Sequence, residues 1–266
     1  AQQYIFQSEI GEFSNASSFY ISPAGYIYVT DFDSDEIYKL DTLGVLLKEA
    51  GGYGWNSGSF DDPTGVYATT LNIYVCDKNN NRLQSFDKDL NFVSQLFTRE
   101  SDNDDEIFGY PLSCAVSRQG DLFILDSENN RVVEFDLFGN FIRNFGGYDA
   151  GRFQLSKPVT LSAAENSTMF VLDNKNIVIF DNFGNGIASF PHKGLIDDMN
   201  IVFGNFTASN DTTVFISTIS TNDGIKLEKV ELKGSEPLKN IVSALVFNHK
   251  FYVLLADRIV IFRKLN

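Results

Sequence analysis

A chain of 266 residues with a net charge of −14, 43% hydrophobic content and only two histidines argues against several function classes at once. Nucleic-acid binding needs a concentrated basic surface, a His-rich zinc site lacks its ligands, and no run approaches the roughly 18 apolar residues of a membrane-spanning helix. The 25 Phe, 11 Tyr and 20 Gly point instead to many short strands joined by tight turns.

The first element in chain order is a strand at Tyr4-Ile5-Phe6-Gln7-Ser8-Glu9, ended by Gly11. A β-rich pentapeptide closing on Asp then recurs. It reads Ile27-Tyr28-Val29-Thr30-Asp31, Ile73-Tyr74-Val75-Cys76-Asp77, Leu122-Phe123-Ile124-Leu125-Asp126 and Met169-Phe170-Val171-Leu172-Asp173. The closing aspartates stand 46, 49 and 47 residues apart. Weaker copies follow at Val214-Phe215-Ile216-Ser217-Thr218 and Phe251-Tyr252-Val253-Leu254-Leu255, so about six units fill the chain.

Each unit reads as four short strands. In the third, residues 113–117, 122–126, 131–135 and 140–144 alternate with turns at Gln119-Gly120, Asn129-Asn130 and Phe138-Gly139. Asn and Gly supply the positive φ that such hairpins need. Four-stranded units at a period of about 40–50 residues are the pattern of a β-propeller. The predicted architecture is all-β: a six-bladed β-propeller of four-stranded antiparallel blades, one domain over residues 1–266. The blades fall at about residues 18–50, 64–97, 112–146, 159–190, 201–241, and 242–266 plus 3–10. The sixth unit shows only three strands (243–247, 251–255 and 258–262). The N-terminal strand is therefore expected to pair near 258–263, completing the last blade and closing the ring with no sheet edge left open.

The second unit runs Phe60-Asp61-Asp62-Pro63-Thr64-Gly65-Val66, then Ile73 to Asp77, then Asn79-Asn80-Asn81-Arg82-Leu83. The third has Tyr110-Pro111, then Leu122 to Asp126, then Asn129-Asn130-Arg131-Val132, and lead-ins occur at Gly51-Gly52-Tyr53-Gly54 and Gly146-Gly147-Tyr148. These units resemble NHL repeats over about residues 18–190; the pattern fades over 191–236 and returns in part beyond. The resemblance implies the six-bladed fold and leaves activity open, because propellers host unrelated functions. Some NHL propellers are amidating-enzyme lyases with histidines on a central metal, but His192 and His249 fall at no matching repeat position. Others bind RNA through a basic face, which the net charge of −14 disfavours.

Two pairs, Asp77 with Arg82 and Asp126 with Arg131, are expected to be turn staples in which the Arg reaches back to the Asp. The competing reading is an anion site, but Glu36 replaces the arginine in the first unit and the fourth unit shortens the loop, so any charge ring would be broken. In an antiparallel blade the loops joining strands two and three emerge on the same face as the blade-to-blade loops. The long insertions 51–63, 98–111, 146–158 and 191–200 lie there, and long loops on a rigid scaffold carry binding. The candidate ligand-binding residues are Tyr53, Trp55, Asp62, Tyr110, Tyr148 and Arg152, with Phe60 and Phe153 packing between blades instead. No catalytic or metal-ligating set is identified. The acidic run Glu100 to Glu106 reads as a solvated loop, with calcium the alternative. Cys76 and Cys114 are expected to be buried free thiols, with a single bridge between neighbouring blades left open.

The functional expectation is a non-enzymatic recognition or assembly module that binds protein, peptide or glycan through the long-loop face, with self-assembly in view. Residue 1 is Ala, so either a signal peptide has been removed or the sequence is an excerpt; the expectation is the former, a processed, exported protein, periplasmic or extracellular. The alternative is a calcium-dependent, lactonase-like hydrolase with the metal in the central channel. No nucleic-acid partner, membrane span or cofactor other than calcium enters the expectation.

Overall fold

The repeated pentapeptides are strands buried along their whole length, as Ile27–Asp31, Leu122–Asp126 and Met169–Asp173 show. Each lies second in its sheet, between two strands of its own blade and between two neighbouring blades. Burial on both faces is why these runs are continuously apolar rather than alternating. The outer strands Leu46–Gly51 and Phe92–Phe97 are mostly exposed. In a computed structural model that describes residues 2–220 and 224–265, six antiparallel sheets form a six-bladed β-propeller.

Strands run outward from the channel in chain order. Blade 1 comprises Ala16–Ile21, Ile27–Asp31, Glu36–Leu40 and Leu46–Gly51, and blade 2 Pro63–Ala68, Asn72–Asp77, Arg82–Asp87 and Phe92–Phe97. Blade 3 comprises Pro111–Val116, Leu122–Asp126, Arg131–Phe135 and Phe141–Phe145; blade 4, Pro158–Ala163, Met169–Asp173, Asn176–Phe180 and Gly186–Pro191. Blade 5 comprises Asp198–Val202, Asn205–Asn210, Thr213–Ser220 and Gly224–Lys229. Blade 6 has Ile241–Phe247, Lys250–Leu255 and Ile259–Lys264, and Gln3–Ile10 is its fourth strand.

That N-terminal strand pairs antiparallel with the last one, from Tyr4 opposite Lys264 to Ile10 opposite Ile259, with a bulge between Phe6 and Ser8. Tyr4 is buried edge-on against Phe251, at 5.3 Å between ring centroids. A short strand, Glu231–Lys233, runs parallel along the other side of Gln3–Ile10, so the closing sheet has five strands.

Blade 5 departs from the expected register. The run Val214 to Ser217, expected as a second-strand copy, belongs to the third strand, and the blade begins at Asp198 rather than near 201. Its true second strand, Asn205–Asn210, buries Thr207 and Ser209 among Phe206 and Ala208, so it presents no apolar run to a reader of the sequence.

Polar contacts close to the channel join each blade to the next. Ser17 donates to the carbonyl of Pro63 (2.6 Å), Thr64 to that of Pro111 (2.8 Å), Ser113 to that of Leu161 (3.1 Å) and Ser162 to that of Met199 (3.4 Å). Thr207 donates to the Ala244 carbonyl (2.7 Å), and the Ala16 amide donates to the Ala256 carbonyl (2.8 Å), bringing blade 6 back to blade 1.

The repeated aspartates clamp the lead-in of their own blade to the turn between strands two and three. Asp31 accepts the amides of Ser14 and Asn15 (2.7 and 2.9 Å), Asp77 that of Asp61 (2.8 Å), Asp126 that of Gly109 (3.1 Å), and Asp173 those of Ser156 and Lys157 (2.9 and 2.6 Å). In blades 2 and 3 an arginine joins the clamp. Arg82 Nε donates to Asp77 at 2.7 Å and Arg131 Nε to Asp126 at 3.2 Å. Cys76 and Cys114 are buried free thiols in one core cluster between blades 2 and 3.

Two stability predictions follow from these contacts. Deleting residues 1–10 removes a ladder of backbone bonds worth about 0.5–1.5 kcal/mol each, so the melting temperature should fall and light scattering should report aggregation; an unchanged melting temperature would contradict the closure. Arg82→Ala leaves Asp77 buried without its counter-charge and should cost about 3–5 kcal/mol, measurable by urea unfolding, whereas a cost under about 1 kcal/mol would show the pair to be dispensable.

Candidate functional site

The blade-to-blade segments pack directly on the two-to-three turns. Lys78 and Asn79 amides donate to the carbonyls of Asp62 and Asp61 (3.3 and 3.1 Å), Glu128 to Gly109 (3.3 Å) and Asn174 to Lys157 (3.1 Å). All the long loops therefore share one face of the ring.

The loop after blade 1 is the most elaborately held. Gly51, at φ 134°, passes so close to blade 1 that a Cβ there would lie 2.5 Å from the Asp35 carbonyl oxygen. Phe60 is fully buried between blades 1 and 2, and its backbone bonds across the loop to Gly52 (3.0 Å) and Gly54 (2.8 Å). Arg82 completes the hold: Nη1 donates to the Trp55 carbonyl (2.7 Å) and Gln95 (2.8 Å), and Nη2 to the carbonyls of Asn56 (3.2 Å) and Ser59 (2.9 Å). With Nε on Asp77, all five guanidinium donors are used, leaving none for an anion. The loop displays Tyr53, 78% exposed, and Trp55, 53% exposed. The Trp55 ring lies over the Arg82 guanidinium at 4.9 Å and meets Phe97 edge-on at 5.4 Å.

The other sequence candidates are spread around the same face. Tyr110 adopts a left-handed backbone, φ 47°. Its amide donates to Asn81 (3.0 Å) and its carbonyl accepts from Ser127 (2.7 Å), while Arg99 bridges Asn81 and Glu128 (2.9 and 2.6 Å). Asp62 is committed to Lys78 at 2.5 Å. Tyr148 is almost wholly exposed, and Arg152 lies over the Phe153 ring at 4.6 Å. Phe153 itself packs on the core cluster shared by blades 3 and 4. No hydrogen bond or ring contact joins any two of Tyr53, Trp55, Asp62, Tyr110, Tyr148 and Arg152; the surface displays them separately and does not gather them into a pocket.

In the acidic run, Arg131 takes the carbonyls of Asp104 and Ile107 (3.2 and 2.8 Å) and Asn144 takes that of Asp105 (2.9 Å). Among the described residues, no group of three or more His, Cys, Asp or Glu is placed to hold a metal ion. His192 is buried, and burial lowers its pKa. Glu134, 3.0 Å from Arg143, is pushed up to about 7 by burial, against the pull of that arginine.

The central channel was expected only as the place of a calcium ion in the alternative reading, and none of the residues lining it was singled out from the sequence. The inner strands enclose a cavity of about 190 Å³ whose polar lining is made of hydroxyls, one amide and the carboxyls of Asp197 and Asp198. Ser243 donates to Asp198 Oδ2 at 2.7 Å and Asn200 at 3.0 Å. Burial pushes Asp198 up to about 6; the bonds from Ser243, the Met199 amide and Asn200 oppose that rise and Asp197 adds to it. A signal did exist: a hydroxyl residue follows Pro63, Pro111 and Pro158 by one or two positions.

Comparison with known proteins agrees with this architecture. An NHL repeat matches residues 60–86. The chain is 31% identical to the protein brain tumor of Drosophila melanogaster over 145 residues, 53% of this chain and 13% of that protein. It is 27% identical to the human E3 ubiquitin-protein ligase TRIM32 over 139 residues, 48% of this chain and 20% of the ligase. The chain thus matches only a small part of each relative's length. Among solved structures, a gluconolactonase of Xanthomonas campestris superposes with a TM-score of 0.68 at 11% identity, covering 96% of this chain and 88% of that one. Virginiamycin B lyase of Staphylococcus aureus gives 0.64 at 15% identity, covering 94% and 80%. Identities this low show a shared fold alone. Taken with the blade count and the clamped aspartates, they describe a six-bladed β-propeller that carries an NHL repeat at residues 60–86 and is similar to NHL-repeat proteins.

Proposed function

We propose that this propeller is a non-enzymatic recognition module that binds a protein, peptide or glycan partner through its long-loop face. The observation that carries the reading is the Tyr53–Trp55 loop. Arg82 pins the carbonyls of Trp55, Asn56 and Ser59, and the Trp55 ring packs on Arg82 and Phe97. One exposed aromatic ring is therefore presented with little conformational freedom left to lose, beside the exposed Tyr53. Rigid aromatic anchors give contact area at low entropic cost. The NHL-repeat relatives carry the matching region as 13% and 20% of far longer chains, which supports its reading as a module.

The reading extends to an exported protein and to a repeating unit of an extracellular assembly. Val45, Leu46, Leu47 and Val93, exposed on or beside the outer strands of blades 1 and 2, supply apolar surface for lateral contacts. Light scattering over a dilution series separates such an assembly from a monomeric receptor. A calcium-dependent, lactonase-like hydrolase has less behind it. Calcium takes about 6–8 oxygen ligands, and although Asp198 and Asn200 face the channel, only Asp197 adds a second carboxylate there. Metal analysis and a thermal shift on adding calcium decide between the two.

Trp55→Ala should weaken partner capture in pull-down or glycan-array binding by about 2 kcal/mol or more, with Tyr53→Ala additive in the same direction. Binding indifferent to substitution of Tyr53, Trp55, Tyr110 and Tyr148 would overturn the long-loop reading.

A further inference from the structure

The channel cavity combines features that the long-loop reading leaves unused. Among the described residues, no Lys, Arg or His lines it, so it holds no counter-charge for a phosphate or a carboxylate ligand. Its lining is rich in groups that both donate and accept: the Ser and Thr hydroxyls of the inner strands and the Asn200 amide. Two of these hydroxyls, Ser18 on blade 1 and Thr160 on blade 4, have no hydrogen-bond partner within the described protein, whereas Ser17, Thr64 and Ser113 are occupied in joining blades. On blade 5, Asp198 adds a strong acceptor and Asn200, whose Nδ2 is held by Asp198 and Ser243, adds its amide oxygen as another. Tyr20 and Tyr67, with ring centroids 4.6 Å apart, give the lining its aromatic surface.

The volume bounds the ligand. About 190 Å³ far exceeds the space that one water needs and falls below the roughly 300–1,000 Å³ of drug-sized pockets. A compact cation would engage the Asp198 side and leave Ser18 and Thr160, on other blades, unanswered. A ligand that carries several hydroxyls spans all three blades and can offer its C–H faces to the tyrosine rings. We propose that the central channel binds a small, uncharged polyhydroxylated molecule of up to monosaccharide size, with Asp198 and Asn200 as its anchors and Ser18 and Thr160 as further contacts.

This site is separate from the long-loop surface, so the two readings fail independently. The charged or titratable groups facing Asp198 in the cavity are Asp197, Tyr20, Tyr67 and Cys114. Burial raises both tyrosines above their usual range, keeping them neutral, and raises Asp198 to about 6.

The test is calorimetric titration of the full chain with glycerol, D-ribose, D-glucose and myo-inositol, alongside ammonium and potassium chloride. Saturable binding of at least one polyol is expected, weakened about tenfold or more by Asp198→Asn and by Thr160→Val, unchanged by Trp55→Ala, and falling as the pH drops through about 6. Thr160→Val removes a hydroxyl that holds nothing in the protein, so it carries the test if Asp198→Asn fails to fold. Binding of none of the polyols, binding of the cations only, or polyol binding indifferent to both channel substitutions would each overturn the proposal.

Discussion

A ring of blades has to be closed by something, and here the closing element is a strand that comes from the far end of the sequence. Gln3–Ile10 is paired on both sides, antiparallel to Ile259–Lys264 and parallel to Glu231–Lys233. Each blade buries its second strand against its neighbours, so a ring open at one junction would expose apolar surface as well as two rows of unpaired backbone groups. The polar contacts from blade to blade act at a smaller radius on the same problem. They satisfy hydroxyls that line the channel and fix the spacing of the inner strands, and that spacing defines the cavity.

The long-loop face depends on that frame through a chain of contacts. Asp77 orients Arg82, and Arg82 spends its remaining donors on the loop that carries Trp55 and on Gln95 of the outer strand. The staple and the candidate recognition surface are therefore one connected structure. An arginine that looks available for an anion when only its charge is considered is, in place, fully occupied.

The fold was legible because its signals repeat. Asp31, Asp77, Asp126 and Asp173 recur at nearly constant spacing since each makes the same clamp, and the gap left in blade 6 pointed to the N-terminal strand. Blade 5 was misread because its second strand buries Thr207 and Ser209, so apolar content marked the third strand instead. The loop residues were found individually by type and exposure, but their separation around the rim depends on inter-blade distances that no local pattern encodes. Asp198 and Asn200 escaped notice for a related reason: they lie where the repeat has eroded, and only the ring brings them beside Ser243 from 43 to 45 residues away.

Placing the closing strand between two neighbours also sets how the protein meets mechanical load. Gln3 and Leu265 are joined by a backbone hydrogen bond of 3.0 Å, so the two ends of the chain leave the ring at one point on its circumference. Because Gln3–Ile10 and Ile259–Lys264 run antiparallel from that shared end, tension applied through the two ends would peel the strand pair apart from Tyr4 and Lys264 inward, opening its hydrogen bonds one after another. The other blades would bear little of that force until the pair had opened, and both faces of the disc would stay unobstructed while it held.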